Sequence, residues 1–466
     1  MPQPNIVFLM SDHTNAQAVA PDSQCLTPNL DALAQDGIRF HRCTTTNAIC
    51  SPARASLMTS TYASTHGMWD CTHTQRQEWV NVSDRLTYWS QRLADAGYLN
   101  GYFGKWHVEQ TKKLEDFGWH EYDIGIGSAR GEAAKGSEIV IEKDGYRPYL
   151  MAGVSDDAPE HHPAYEQGIG FIRDAAGGDR PFCCFISTSE PHDPYVPPRR
   201  FMEMYDIEGI RPSPTLHEEG TDKPEVVARM RQVWQDLTEA DWGRISAAYW
   251  AVITFLDSEV GRVLDTLREC GVYDDTIVVV TADHGDMLGG HGLAAKGVGT
   301  AYEEVYNIPL ILRVPGAAAG EDDTHRVSLV DIGPTVMDLL DLEPPEPCHG
   351  RSMVPILLGD SNPEEWQDAY GEFFGQRFVY TQRIVWHGDW KYIFSPGGVD
   401  ELYNLADDPH EEHNLASDPA HRDRLESMCR RMWRKMREIG DDSLFNTHYA
   451  TLRTAPVGPW AVRDEE

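Results

Sequence analysis

Apolar residues along the first 340 or so positions fall into two patterns. Short continuous runs at Asn5–Met10, Tyr98–Phe103, Pro181–Thr188, Thr276–Val280 and Leu310–Val314 read as strands covered on both faces, because such strands show no polar alternation. Stretches of helical period lie between them: Pro28–Leu33 with Thr27 as its cap, Tyr165–Ala175, Glu239–Arg268 with a break expected near Gly261, and Leu329–Leu340. The alternation predicts an α/β fold with a large, mostly parallel sheet sandwiched by helices. After about residue 365 the pattern changes. Phe378–Tyr380, Ile384–Trp386 and Trp390–Phe394 read as short antiparallel strands, and Arg422–Ile439 as a closing helix. The expected division is a large α/β domain over residues 1–365 and a smaller C-terminal α+β subdomain, an antiparallel sheet plus helix, over 366–466. The stretches 125–164 and 199–224 read as loops that shape a pocket.

Sheets of this kind bind ligands beyond the C-terminal ends of their strands. Here those ends carry Asp12, Lys105, His192 and Asp283-His284. Carboxylates with a neighbouring imidazole suit a divalent cation. Gly104-Lys105-Trp106-His107 sets Lys105 and His107 two apart, on one side of an extended chain. His192 lies in a loop bounded by Pro191 and Pro194, and Lys296 follows a glycine-rich segment. With nine lysines in 466 residues, two at strand-end loops stand out. The run Cys50-Ser51-Pro52-Ala53-Arg54 leads into good helix formers, with Pro52 suited to a first helical position. Cys50 is then expected at a helix N-terminus, where free N–H groups favour an anion and lower a thiol pKa. Arg54 faces the same terminus. The bland alternative is a small buried cysteine before an ordinary helix. Taken together, a metal ion, two lysines, an arginine and several histidines would suit a doubly charged oxyanion.

Composition sharpens this picture. With 74 acidic against 40 basic residues the formal net charge is −34. Such a chain repels nucleic acid and anionic membranes, and neither is expected as a partner. An anionic substrate must therefore be gathered by a local basic pocket against the global field. The nine cysteines show no C-x-x-C spacing, and most are expected to be reduced core residues, Cys183-Cys184 most clearly. The N-terminus lacks a basic region, and its apolar run is too short for a signal peptide or membrane span, so the expected location is cytoplasmic.

The ordered set of motifs resembles the formylglycine-dependent sulfatases of the alkaline-phosphatase-like superfamily, arylsulfatases among them. The C-x-P-x-R motif stands as Cys50, Pro52 and Arg54. Asp12, the Lys105/His107 segment, Pro191-His192-Asp193-Pro194-Tyr195, Thr281-Ala282-Asp283-His284-Gly285-Asp286 and Lys296-Gly297 match in order. Trp390-Lys391-Tyr392-Ile393, Glu401–Leu405 and Asn414-Leu415-Ala416 extend the likeness into the tail. The resemblance implies hydrolysis of a sulfate monoester of an aryl, sugar or small alcohol. It implies Cys50 oxidised to formylglycine by a formylglycine-generating or anaerobic sulfatase-maturating enzyme. It implies one divalent cation, Ca2+ by family default or Mn2+, held by Asp12, His13, residue 50, Asp283 and His284. Arg54 and Lys105 would stabilise the aldehyde hydrate, Lys296 would bind sulfate, His192 would protonate the leaving oxygen, and His107 would take the proton that releases sulfate. Trp69, Trp119 and Tyr195 are candidate platforms for a sugar or aryl group, with core packing the favoured role for each. Two positions depart from the family pattern: residue 13 is His, and the motif continues Thr59-Ser60 where the family has Thr-Gly. Two other readings are a phosphonate or phosphodiester hydrolase of the same superfamily, which tends to lack the Lys105/His107 pair, and an unmodified binding protein.

Overall fold

Fourteen strands organise the described chain: β1 Asn5–Asp12, β2 Ile38–Thr44, β3 Leu99–Gly104, β4 Glu121–Asp123, β5 Ile139–Ile141, β6 Tyr149–Ala152, β7 Phe182–Pro191, β8 Thr276–Ala282, β9 Asn307–Arg313, β10 Glu321–Ser328, β11 Asp368–Gly375, β12 Val379–His387, β13 Trp390–Phe394 and β14 Glu401–Asn404. The structure is a computed structural model and describes residues 3–73, 82, 85–111, 113–129, 139–444 and 454–462. Eight strands form one sheet in the order β10-β2-β9-β8-β1-β7-β3-β4. All run in the same direction except β9, which is antiparallel to both neighbours. The α/β class and the mostly parallel sheet are as the sequence predicts.

The continuous apolar runs follow from burial on both faces. In β1, Val7 and Leu9 point into one core, and Ile6, Phe8 and Met10 into the other. Val278 and Val280 part from Ile277 and Val279 in the same way. The first core is closed by helices Pro28–Gln35, Pro163–Ala176 and Glu239–Glu269. The second is closed by Cys50–Thr59, Trp89–Asp95 and Ile332–Leu339. Cys183 and Cys184 are fully buried on opposite faces, and all nine cysteines are free thiols.

Several local expectations are corrected. Helix Glu239–Glu269 runs unbroken through Gly261. A Cβ at 261 would lie 2.5 Å from Asn29 Oδ1, so this glycine admits a neighbouring helix rather than ending its own. Thr27 makes no side-chain capping bond. Asp257 caps that helix instead, accepting from the Asn29 and Leu30 amides at 3.2 and 2.8 Å. Helix Cys50–Thr59 begins two residues before Pro52. Pro52 still costs nothing there, because the first four amides of a helix have no intrahelical partner.

The second sheet runs β11-β12-β13-β14, antiparallel throughout. The runs 378–380 and 384–386 join in one strand, because the polar residues between them find buried partners. Arg383 Nε donates to Asp441 Oδ2 at 2.8 Å, and Gln382 Nε2 to Ser395 Oγ at 3.0 Å. Helix Arg422–Glu438 lays Leu425, Met428, Cys429, Met432, Trp433 and Met436 on this sheet, a helical spacing that buries one stripe. Among the described residues no helix is long and apolar enough to cross a membrane.

Candidate active site

Sheet register brings the chemistry to one edge. Asp12 pairs with Pro191, which places it beside His192, and Ser11 pairs with Ala282, which places Asp12 beside Asp283. Gly104 pairs with Ser187, so Lys105 emerges at the same level. Helix Cys50–Thr59, buried along its whole length, points its first residue at these strand ends.

Arg54 ties the strands together. Its Nε donates to Asp283 Oδ2 at 2.7 Å, and its Nη1 donates to Ser187 Oγ at 2.7 Å and to the Lys105 carbonyl at 3.0 Å. Asp283 and Asp12 outweigh burial and raise the Arg54 pKa further. Lys105 pairs with Asp12 Oδ2. Burial and Cys50 push the Asp12 carboxyl up, but Lys105, His192 and Lys296 hold it below the usual range. Burial also raises the Cys50 thiol. A hydrogen bond with Cys71 and the charges of Lys105, Lys296 and His284 more than offset it, so the thiol lies well below its ordinary value. His284 Nε2 is 3.3 Å from Cys50 Sγ. Both the helix-terminus position and the lowered thiol agree with the sequence reading.

One donor atom from each of Asp12, His13, Cys50 and His284 lies within 4.8 Å of the others. Asp12 Oδ1 is buried without a hydrogen-bond partner and stands 3.5 Å from His284 Nε2. Asp283 flanks the group, its Oδ1 3.7 Å from His284 Nε2 and accepting the His13 and His284 amides. His13 Nδ1 bonds Asp286 Oδ2 at 2.8 Å, leaving Nε2 toward Lys296. A carboxylate behind an imidazole is the usual support of a metal-bound histidine. The residues present fit a divalent cation.

His192 Nδ1 lies 2.8 Å from the Asp193 carbonyl and its Nε2 3.1 Å from Lys296 Nζ. Burial first and Lys296 second hold its pKa down to about 3, so the imidazole is neutral. Nδ1 then carries the proton, and Nε2 accepts from the ammonium. Lys105 and His107 do not share an extended segment. His107 has φ 51°, and its ring stacks on His73 with centroids 5.4 Å apart. Its Nδ1 is buried without a hydrogen-bond partner.

A cleft of about 540 Å³ opens on this edge, lined by Lys105 and His107 with Thr72, His73, Gln110 and Ser128. Segment 124–128 contributes to it, and residues 130–138 lie outside the described chain. Among the described lining residues none comes from 199–224. That segment packs on helix Glu239–Glu269, where the Tyr205 hydroxyl bonds Thr254 at 2.6 Å. The three candidate platforms lie elsewhere. Trp119 and Tyr195 are fully buried, and half-exposed Trp69 stacks on Phe374 outside the cleft. Sequence reasoning did not single out Asp286, which also accepts from the Tyr195 hydroxyl at 2.6 Å and the Leu288 amide at 3.0 Å. Its place two residues after His284 was the available signal. Cys71 and His73 arrive on a loop and carried none.

Residues 4–342 match the sulfatase family model, and residues 289–438 match the model of the N-sulphoglucosamine sulphohydrolase C-terminal region. The chain belongs to the sulfatase family and is a sulfuric ester hydrolase. The choline-sulfatase of Rhizobium meliloti (strain 1021) is 29% identical over 440 residues, covering 90% of this chain and 83% of the relative. A solved structure of BT4656 in complex with its substrate D-glucosamine-2-N,6-O-disulfate superposes with TM-score 0.76 at 21% identity, covering 94% of this chain and 99% of the other. The phosphonate monoester hydrolase from Silicibacter pomeroyi superposes with TM-score 0.77 at 24% identity, covering 95% and 97%.

Proposed function

We propose that the substrate is the sulfate monoester of a polar, hydroxylated alcohol of sugar size. The carrying observation is the cleft in front of Lys105 and His107. Its described lining offers hydroxyl, imidazole and amide groups from Thr72, His73, Gln110, Ser128 and Ser189. Trp106 is the one indole or phenyl ring among the described lining residues, and it is 3% exposed, which leaves no face for an aryl group to stack on. A volume of about 540 Å³ suits a single small ligand. The glucosamine disulfate in the BT4656 complex is in keeping with this reading.

Asp12, His13, Asp283 and His284 would hold a divalent cation with residue 50, where it would offset the charge of the sulfate oxygens. Two imidazoles among the donors favour Mn2+ over the Ca2+ that the family resemblance implies. Converted to formylglycine, residue 50 would supply through its hydrate an oxygen nucleophile for sulfur and a second hydroxyl whose deprotonation releases sulfate. Lys105 and Lys296 bring ammonium charge to the sulfate oxygens, and Arg54 orients Asp283 and the start of the helix. His192 is neutral with Nε2 facing Lys296; once Nε2 has taken a proton from solvent, that nitrogen would pass it to the departing alcohol oxygen. His107 keeps Nδ1 unpartnered and takes the proton that frees sulfate.

The test is a panel of sugar sulfates, aryl sulfates, choline sulfate and a phosphonate monoester, run beside mass analysis of the peptide containing residue 50. A mass about 18 Da below that of the cysteine form, the change from –CH₂SH to –CHO, is expected, with kcat/KM highest on a sugar sulfate. Unmodified Cys50 in active protein would sink the formylglycine reading, and preference for an aryl sulfate or the phosphonate would sink the substrate.

A further inference from the structure

A second buried cluster lies beside the catalytic one. The segment that carries Asp283, Asp286 and Lys296 toward the active site also carries His291 and Glu304 into a different interior, where Glu218 and Glu411 meet them. His291 is fully buried, and the side chains of Glu218, Glu304 and Glu411 are at most 7% exposed. One donor atom from each of His291, Glu304 and Glu411 lies within 4.8 Å of the others. His291 Nε2 is 3.9 Å from Glu304 Oε2, and on the other side of the ring Nδ1 is 3.0 Å from Glu218 Oε1.

Two observations separate this cluster from an ordinary ion-pair network. Neither ring nitrogen of His291 and neither carboxylate oxygen of Glu218 is aligned with any hydrogen-bond partner, although all four atoms are buried. Buried polar groups in that condition are destabilising and rare in native proteins. The charge balance points the same way. Lys223 donates to the Glu411 carbonyl at 2.6 Å and the Tyr403 hydroxyl at 3.1 Å, and stands 3.9 Å from Glu218. Lys391 divides its charge between Glu411 at 2.7 Å and Glu303 at 3.0 Å. The carboxylates remain in excess. Space has also been kept for them, since a Cβ at Gly290 would stand 2.6 Å from Glu304 Oε1.

We propose that His291, Glu304 and Glu411 form a second divalent-cation site, with Glu218 as the carboxylate that orients the imidazole. One nitrogen and two carboxylates suit a first-row cation such as Zn2+, held through His291 Nε2 and one oxygen of each glutamate. Glu218 behind Nδ1 supplies the supporting partner that metal-bound histidines have in general. The cation neutralises the carboxylate excess and fastens the segment bearing Lys296 to the loop after β14. The proposal does not depend on the substrate or on the modification of residue 50.

Untagged full-length protein is stripped with a chelator, saturated with Zn2+ and desalted, and its zinc content is measured by mass spectrometry beside circular dichroism and thermal melting. Glu304→Gln is expected to hold one equivalent less than the parent, and Zn2+ to raise the melting temperature of the parent by several degrees more than that of the variant. Glu218→Gln, which keeps the volume, is expected to bind the same equivalent 10–100-fold more weakly. Equal zinc content and equal melting shifts in the parent and a folded Glu304→Gln would overturn the site. So would a Glu304→Gln variant more stable than a parent that takes up no zinc at this position, because the cluster is then a proton-sharing network.

Discussion

The two buried charge clusters of this molecule are fed by one stretch of chain, residues 283–304, yet are balanced in opposite ways. At the ends of β1, β7 and β8 the two carboxylates nearest Cys50 each meet a cation: Asp283 has Arg54 at 2.7 Å, and Asp12 has Lys105, with Lys296 beside His13. The second cluster sits among loops, and its carboxylates outnumber Lys223 and Lys391. Burying a charge without its partner costs several kcal/mol, so both arrangements need completion by ligands. The first combines donors that fit a divalent cation with the ammonium groups of Lys105 and Lys296, which suit an anion. The second is rich in carboxylates and awaits a cation. In a protein of net charge −34, Arg54, Lys105 and Lys296 set a local concentration of positive charge at these strand ends.

The sharpest break of this comparison is Cys50→Ala, which removes the reacting group and leaves the other charged side chains of both clusters in place. Turnover of any sulfate ester is expected to fall by roughly 10⁴-fold or more, with stability nearly unchanged. Measurable turnover close to the parent would show that residue 50 is not where the chemistry occurs. Next come paired removals, Arg54→Met and Lys391→Met. Each strands buried carboxylates and is expected to cost about 3–5 kcal/mol of unfolding free energy in urea. They should differ in function. Folded Lys391→Met keeps kcat/KM within a few-fold of the parent, whereas Arg54→Met loses turnover with its grip on Asp283. Equal loss of turnover in both would mean that the clusters act as one.

His192→Ala tests the proton path inside the first cluster. General acid groups contribute about 10²–10⁴-fold, and the loss is expected to be deepest on esters whose alcohol leaves poorly. An equal loss on activated aryl sulfates and on sugar sulfates would assign His192 to sulfate binding instead.

The first cluster was legible in the sequence and the second was not, for a physical reason. Strand ends are marked by apolar runs, so Asp12, Lys105, His192 and Asp283 could be placed at one edge of a sheet before any coordinates. The relation of His291 to Glu218 and Glu411 depends on how loops far apart in the chain meet, and no period marks that. The same limit applies to the fold. The central strands β1, β7 and β8 declared themselves by continuous burial. The edge strand β10 and its neighbour β2 carry Asp322, Asp323, Arg39 and Arg42, and gave no apolar run to read. β12 was read as two strands because Gln382 and Arg383 look like a turn until Ser395 and Asp441 are seen to receive them.

A milder comparison uses Glu372 in β11, a buried carboxyl outside both clusters. Burial raises its pKa to about 7, with Arg383 opposing and Asp441 adding to the shift. The folded state therefore holds this proton more tightly than the unfolded chain, whose glutamate titrates near 4.3. Stability from this group is full below about pH 4.3 and is lost as the pH rises through about 7, by at most about 4 kcal/mol. Glu372→Gln removes that dependence. The expected result is a stability difference, variant minus parent, that grows from pH 5 to pH 8. A flat difference would show that Glu372 is ionised throughout.

The smallest expected effect lies at the far end of the helix that begins with Cys50. Ser60 ends that helix with φ 56°, a left-handed conformation that favours glycine. Its Oγ is buried without a hydrogen-bond partner, and it fits only because residue 333 is glycine, where a Cβ would stand 2.3 Å from that oxygen. Ser60→Gly removes both the backbone strain and the unpaired hydroxyl. It also loosens the unfolded chain, which returns about 0.5–1 kcal/mol of the gain. The net expectation is a rise of about 1 kcal/mol in urea, with kcat unchanged because Cys50 and Arg54 lie nearly three and nearly two turns away on a fully buried helix. A fall in stability would show that the hydroxyl has a partner after all. A change in kcat would show that strain at the end of this helix is transmitted to its beginning, and the catalytic cluster would then extend beyond the strand ends that define it.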